Sequence, residues 1–233
     1  MNKKGEKIVA IIIARGGSKS IPRKNVLPLH GKPLIAWPID LAKSVVAIDR
    51  VIVSTDDDEI TEIAKRYGAE VPFKRPAELA DDVTPTLPVI RHCVEYLEKE
   101  EGYRPDIVLV FFPTAPFLKK ERVEQALEKF EMTDCNSVIS VVEDWGRFWS
   151  LNEEKSKYTI LHPKERVNRQ YYKPLYKEDG AIYFSRRDVW MEQNKAVDDN
   201  NMEFVIHDED ENVDIDNPSD WAKAADREVE ETK

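Results

Sequence analysis

Arg15, Lys19, Arg23 and Lys24 lie within a single short segment, AIIIARGGSKSIPRKN, of a chain whose formal net charge is −10. The segment begins as a continuous apolar run and turns abruptly into a loop of glycines and cations. Its residue types suit a bound phosphate. Gly16 and Gly17 permit close approach of backbone amides, and Ser18 offers a hydroxyl. Arg15 can fork onto two oxygens, while Lys19 and Lys24 act as point charges. The spacing is neither the dinucleotide fingerprint G-x-G-x-x-G nor a Walker A loop ending in G-K-[ST]. On the residues alone, a solvated basic loop is the alternative.

A second constellation lies near the other end of the chain. VDIDNPSD places Asp214 and Asp216 two residues apart after a strand-like segment, so both can face one side. Paired carboxylates suit Mg²⁺, which takes one or two of them together with substrate phosphates and waters. Taken alone they read first as ordinary surface acids, and the preceding Asp208 to Glu211 read as solvated charge. Asp56 to Asp58, in STDDDEI, suit a helix N-terminus, where carboxylates complement the macrodipole. His30, His92, His162 and His207 show neither triad nor zinc spacing.

The elements needed to position these groups can be read from periodicity. KIVAIIIA, RVIVST and DIVLVFF are apolar runs of the kind found in strands buried on both faces. PLIAWPIDLAKSV predicts a helix with Pro33 at its first position, and DDEITEIAKRYGAE a helix closed by Gly68. Thr84 is the expected N-cap of a helix with Pro85 in its first turn and Gly102 at its stop. KKERVEQALEKFEM predicts another helix and NSVISVV another strand. Such alternation implies an α/β fold with a mostly parallel sheet flanked by helices, and ligands bind at the carboxyl edge of such sheets. From about residue 143 to 176 the rhythm breaks into an aromatic-rich arm or hairpin. GAIYFS and MEFVIH restore strands, and NPSDWAKAADREVEE closes the chain as a helix. Residues 1–233 are expected to form one domain carrying this inserted arm.

Composition narrows the functions. The charged fraction of 34% exceeds the roughly 25% usual for soluble domains, and acids outnumber bases. That excludes a nucleic-acid-coating surface. Cys93 and Cys135 are too few for a disulfide framework and lack metal-ligand spacing. The apolar run Ile8 to Ala14 is too short for a signal-peptide core, and no segment approaches a membrane span. The expectation is a cytoplasmic protein that binds neither nucleic acid nor membrane.

ARGGSKSIPRKN resembles the A-R-x-x-S-K-x-x-P-x-K-N signature of the CMP-nonulosonate (acylneuraminate) cytidylyltransferases. VIVSTDDDEI, KRPAELADD, PTAP, RQ followed by GAIY, and VDID resemble further segments of that family in the same order, across roughly residues 7 to 225. The resemblance implies a Rossmann-like nucleotidyltransferase that joins CTP to a nine-carbon keto-sugar acid and releases pyrophosphate. It implies Arg15, Lys24 and Asp216 as catalytic residues. Arg15, Ser18, Lys19, Lys24, Asn25, Asp56, Arg75 and Thr86 are then nucleotide-binding, with Mg²⁺ on Asp214 and Asp216. The group that removes the sugar's hydroxyl proton is left open, Asp216 among the options.

For the sugar, the resemblance implies Phe112, Thr114, Arg169, Gln170 and Asp179. Many members carry Gln and Arg where this chain has Phe112 and Leu118, a more apolar wall that suits a deoxy sugar such as legionaminate or pseudaminate. Asp179 replaces an Asn common in relatives. Arg169 suits the sugar carboxylate, because a guanidinium matches its geometry. The arm's Trp145, Phe148, Trp149, Tyr171 and Tyr172 are too many to leave exposed, and relatives dimerise through such an arm, so a homodimer is expected. The alternatives are a 3-deoxy-manno-octulosonate cytidylyltransferase, a sugar-1-phosphate nucleotidyltransferase and a non-catalytic nucleotide-binding protein of the same fold.

Overall fold

The computed structural model describes residues 5–154, 156–208 and 213–228. Of the acids preceding the D-x-D, Asp208 is exposed, whereas Glu209, Asp210 and Glu211 lie outside the described residues.

Strand β1 (Ile8–Ile13) is the heart of the molecule. Its side chains alternate between two cores, as a period of two requires. Ile8, Ala10 and Ile12 enter one and Val9 and Ile11 the other. Strands β2 (Pro28–Leu29) and β3 (Lys32–Pro33) form a small hairpin ahead of helix α1 (Ala36–Ser44). They are followed by β4 (Arg50–Ser54), α2 (Asp58–Arg66), α3 (Thr86–Glu101), β5 (Ile107–Phe111) and α4 (Lys120–Met132). Helices α1, α2 and α4 cover the first core and α3 the second. Each fully buried Ile, Leu or Phe contributes about 1.5–3 kcal/mol, so Leu109→Ala in β5 would cost about 2–5 kcal/mol.

The main sheet is completed by β6 (Ser137–Asp144), β9 (Leu175–Arg186) and β10 (Met202–His207). Its order is β10-β6-β9-β5-β1-β4. β9 runs antiparallel to both neighbours, while the other pairings are parallel. The loops after β1, β4 and β5 therefore emerge at one edge, where the sequence places its charged motifs. Between β6 and β9 the chain leaves the sheet as an antiparallel hairpin, β7 (Phe148–Asn152) with β8 (Lys157–His162). Its base is closed by the pairing of Glu143 with Tyr176 and Asp144 with Leu175, at the limits expected for the arm. α5 (Arg187–Met191) adds Trp190 to the second core, and α6 (Pro218–Asp226) begins with a capping box between Asn217 and Asp220.

Two helix starts differ from expectation. His30 and Gly31 both adopt left-handed backbone, the requirement of a tight hairpin turn, and this draws Lys32 and Pro33 into β3. Helix α1 consequently starts at Ala36. Pro85, not Thr84, occupies the N-cap of α3, because the Thr84 hydroxyl donates to the Glu78 carbonyl at 3.1 Å. No helix among the described residues is long and apolar enough to cross a membrane.

Candidate active site

The loop after β1 is shaped by contacts from the neighbouring strand ends. The Gly16 amide donates to Asp56 at 3.0 Å. A Cβ at Gly16 would stand 2.5 Å from an Asp57 oxygen, so a larger residue there would have to displace the Asp57 side chain. Buried Asn25 donates its side-chain amide to the Arg15 carbonyl at 2.9 Å, closing the loop on itself.

The cations separate into three environments. Arg23, in left-handed backbone, forks onto Asp57 at 2.5 and 3.1 Å and also reaches Glu59. It clamps the start of α2, whose N-cap is Asp57, so the motif contributes three cations to the loop's open side rather than four. Arg15 and Lys19 both contact Asp82, each at 2.5 Å. Lys24 is largely buried, donates to the Ile215 carbonyl at 2.6 Å and lies 3.8 Å from Asp216. Burial pushes its ammonium below the ordinary lysine range, against the pull of Asp216 and Asp214.

A cleft of about 280 Å³ brings together Arg15, Ser18, Lys24, Asn25, Arg75 and Thr86 with Phe112 and Thr114. Arg75 is buried at its floor, where it donates to Ser54 through Nε at 3.0 Å and to the Ser54 carbonyl. Burial lowers its pKa to about 10, which leaves it charged at neutral pH. Lys19 and Asp56 are not among the lining residues: Lys19 lies over the rim and Asp56 serves the Gly16 amide.

The segment Val213–Asp216 runs against the loop after β5, with the Ile215 amide donating to the Thr114 carbonyl at 2.9 Å. Ile215 is fully buried while Asp214 and Asp216 face solvent. Asp214 keeps solvent access, yet the protein around it desolvates the carboxyl enough to raise its pKa. Asp216 and Asp220 add to that rise, while the Thr114 hydroxyl and Lys24 oppose it. Among the described residues no cluster of three His, Cys, Asp or Glu forms a metal cage. Two carboxylates beside a phosphate-sized cleft fit Mg²⁺, which draws its remaining ligands from substrate and water.

A second cavity, of about 700 Å³, opens on the other side of Asp214 and is lined by Trp145, Arg169, Lys177, Asp179, Gly180 and Tyr183 among others. The Arg169 guanidinium stacks over Trp145, 4.4 Å from the ring centroid. Phe112 and Thr114, expected at the sugar, line the first cleft instead. Phe112 meets Tyr183 edge-on at 6.0 Å, so the two rings form the wall between the cavities. Gln170 is exposed and lines neither. Leu118, expected in the same apolar wall, packs into the first core.

Asp179 borders the second cavity with its carboxylate turned away from it. One oxygen accepts from Ser140 and from the Ala181 amide at 3.1 Å, and the other lies 2.5 Å from His207 Nδ1. Burial opposes its ionisation, but His207 and Ser140 outweigh that and hold its pKa below the usual range. The network sits where β9 bulges against β6, at Gly180 in left-handed backbone.

Sequence reasoning missed Asp82, Lys177, Glu178 and Tyr183. Asp82 lies within the quoted KRPAELADD, and its charge complementarity to the cationic loop was the available signal. The other three lie within YYKPLYKEDGAIYF, where alternation marks a strand face without saying what it faces.

A family model described as Cytidylyltransferase matches residues 9–228. The chain is 34% identical over 203 residues to the pseudaminic acid cytidylyltransferase of Campylobacter jejuni, spanning 86% of this chain and 87% of that protein. It is 34% identical over 225 residues to the CMP-N,N'-diacetyllegionaminic acid synthase of Legionella pneumophila, spanning 93% and 94%. A solved CMP:2-keto-3-deoxy-manno-octonic acid synthetase complexed with CTP superposes with a TM-score of 0.68 at 19% identity, over 94% of this chain and 97% of that one, a likeness of fold. The chain belongs to the cytidylyltransferase family, among the CMP-nonulosonate cytidylyltransferases, and is a nucleotidyltransferase.

Proposed function

We propose that the protein transfers CMP from CTP to a nonulosonic acid, a nine-carbon keto-sugar acid, with release of pyrophosphate. The observation that carries this reading is the junction at Thr114 and Asp214. It joins a cation-lined cleft sized for phosphates to a larger cavity holding a stacked arginine.

In this reading Arg15, Lys19 and Lys24 neutralise the triphosphate, Ser18 and Asn25 shape the loop around it, and Arg75 and Thr86 line the nucleoside end. Arg169, oriented by Trp145, meets the sugar carboxylate. The anomeric hydroxyl then faces the α-phosphorus across the Thr114–Asp214 junction, which amounts to catalysis by positioning and charge. Asp214 and Asp216 would hold Mg²⁺, which supplies charge neutralisation at phosphate oxygens. The apolar wall of Phe112 and Tyr183 supports a deoxy nonulosonate of the pseudaminate or legionaminate kind over N-acetylneuraminate.

The reading includes a homodimer. Trp149, Leu151, Tyr158, Leu161 and Tyr171 leave an apolar surface on and beside the hairpin, whereas Trp145 and Tyr172 pack against each other. It also includes a cytoplasmic location, where CTP is available.

The test is pyrophosphate release with CTP, Mg²⁺ and a panel of pseudaminate, legionaminate, N-acetylneuraminate and 3-deoxy-manno-octulosonate. Turnover of one nonulosonate, lost in Asp216→Ala, is the expected result. Release with UTP or GTP and a sugar 1-phosphate would overturn it.

A further inference from the structure

Asp82 approaches the cationic loop as an anion does. Its two oxygens contact Arg15 Nη1 and Lys19 Nζ, each at 2.5 Å. The turn that carries Asp82 is built by other groups. Asp81 accepts the amides of Val83 at 3.0 Å and Thr84 at 2.6 Å, and the Thr84 hydroxyl donates to the Glu78 carbonyl. Asp82 is therefore free to reach across the mouth of the cleft, which it lines beside Arg15. Lys19 is 80% exposed and Asp82 itself is one-third exposed, so both contacts form in water and exchange readily.

We propose that Asp82 is an exchange partner for the phosphates, a specificity-determining residue that occupies Arg15 and Lys19 between turnovers and helps expel pyrophosphate. The proposal rests on the reading of this cleft as a nucleoside triphosphate site. The reacting α-phosphorus belongs at the inner end, near Lys24 and Asp214, because the second cavity opens there. The β- and γ-phosphates then extend toward Arg15 and Lys19 at the mouth. A carboxylate on both cations must be displaced before those phosphates bind, which a polyanion does and a monophosphate does poorly. When the Pα–O bond to the β-phosphate breaks, pyrophosphate keeps the bridging oxygen and is held by the same two cations. Asp82 competes for them, speeds departure and leaves the nucleotidyl product on the inner contacts. The low pKa of the Asp82 carboxyl, held down by Lys19 and Arg15 against desolvation, keeps the competitor ionised at neutral pH.

The experiment compares wild type, Asp82→Asn and Asp82→Glu by calorimetric titration with inorganic pyrophosphate and with CTP, followed by product inhibition during turnover. Loss of two partly exposed ion pairs predicts that Asp82→Asn binds pyrophosphate about five- to tenfold tighter. It should also show a lower KM for CTP and inhibition by pyrophosphate at correspondingly lower concentration. Asp82→Glu, which restores the carboxylate, should return all three toward wild type. Unchanged or weaker pyrophosphate binding in a folded Asp82→Asn would overturn the proposal, since a residue that merely braced the cations would weaken binding when removed. Failure of the functional reading is visible separately, as absence of CTP-dependent pyrophosphate release in the wild type. The titration with inorganic pyrophosphate reads the competition in either case.

Discussion

Lys24 Nζ donates to the backbone carbonyl of Ile215 at 2.6 Å, across a sequence separation of 191 residues. That one bond fastens the loop after the first strand to the acidic segment near the C-terminus. It fixes Lys24 at 3.8 Å from Asp216 with its ammonium turned toward the cleft. The cation and the two carboxylates are set by the same contact, so the site is assembled only when the whole sheet has formed.

In the proposed reaction, Lys24→Met removes a preorganised charge from beside the reacting phosphate. Turnover should fall by about 10²–10³-fold, the usual cost of losing one such donor. The KM for CTP should change much less, because Arg15 and Lys19 remain. Steady-state kinetics of pyrophosphate release check both values.

Asp214→Asn and Asp216→Asn should each raise the Mg²⁺ concentration needed for half-maximal activity by at least about tenfold, the scale at which even indirect ligand supports act. A Mg²⁺ titration at saturating CTP measures it. Equal Mg²⁺ dependence in wild type and both variants would remove the metal role from this pair.

Arg23 lies in the same motif yet serves α2. Arg23→Ala breaks a forked pair that is about two-fifths exposed, so the cost should be about 1 kcal/mol and the fall in Tm about 2–4 °C. Turnover should stay within a few-fold of wild type. Thermal melts and kinetics on one preparation would separate Arg23 from Lys24.

Asp179 and Asp57 carry depressed pKa values, the first through His207 and Ser140 against burial, the second through Arg23. A carboxyl with a lowered folded pKa contributes stability that is complete above its unfolded value, about 4, and is lost as pH falls through the folded value. Urea denaturation between pH 6 and pH 3 should show that loss. The drop should be smaller in Asp179→Asn, which at neutral pH should be about 1–3 kcal/mol less stable because His207 and Ser140 lose an ionised partner.

Light scattering should give a mass of twice the 27.0 kDa chain. Leu151→Ser with Leu161→Ser, both on the exposed hairpin, should shift the protein to monomer while circular dichroism stays unchanged. A wild-type mass of one chain across the micromolar range would dismiss the dimer.

The apolar runs of β1 and β5 were readable because strands buried on both faces need no partner pattern to be recognised. The stops at Gly68 and Gly102 were readable because left-handed backbone selects glycine. The start of α1 was not, since the tight turn at His30–Gly31 diverts Pro33 into a strand pair that only the folded chain reveals. Arg15, Ser18, Lys24, Asn25, Arg75 and Thr86 were found by motif and do share a cleft. The pairing of Arg23 with Asp57, of Arg15 with Asp82, and of Asp179 with His207 joins residues far apart in sequence, and no local pattern encodes such contacts. Phe112 was assigned to the sugar through the family resemblance, and its ring instead forms a wall between the cavities with Tyr183.

The twelve residues of β9 begin at the base of the hairpin with Leu175 and Tyr176, pass Asp179 and Gly180 beside the larger cavity, enter the core at Phe184 and end at Arg186. One continuous strand thus carries three duties. Recombination between related genes would therefore move the hairpin base and the cavity lining together unless a crossover fell inside β9. A crossover there would place two parental registers in the middle of the sheet. Hairpin and cavity are accordingly expected to be inherited as one block, and swaps intended to change substrate choice should take residues 144–186 whole.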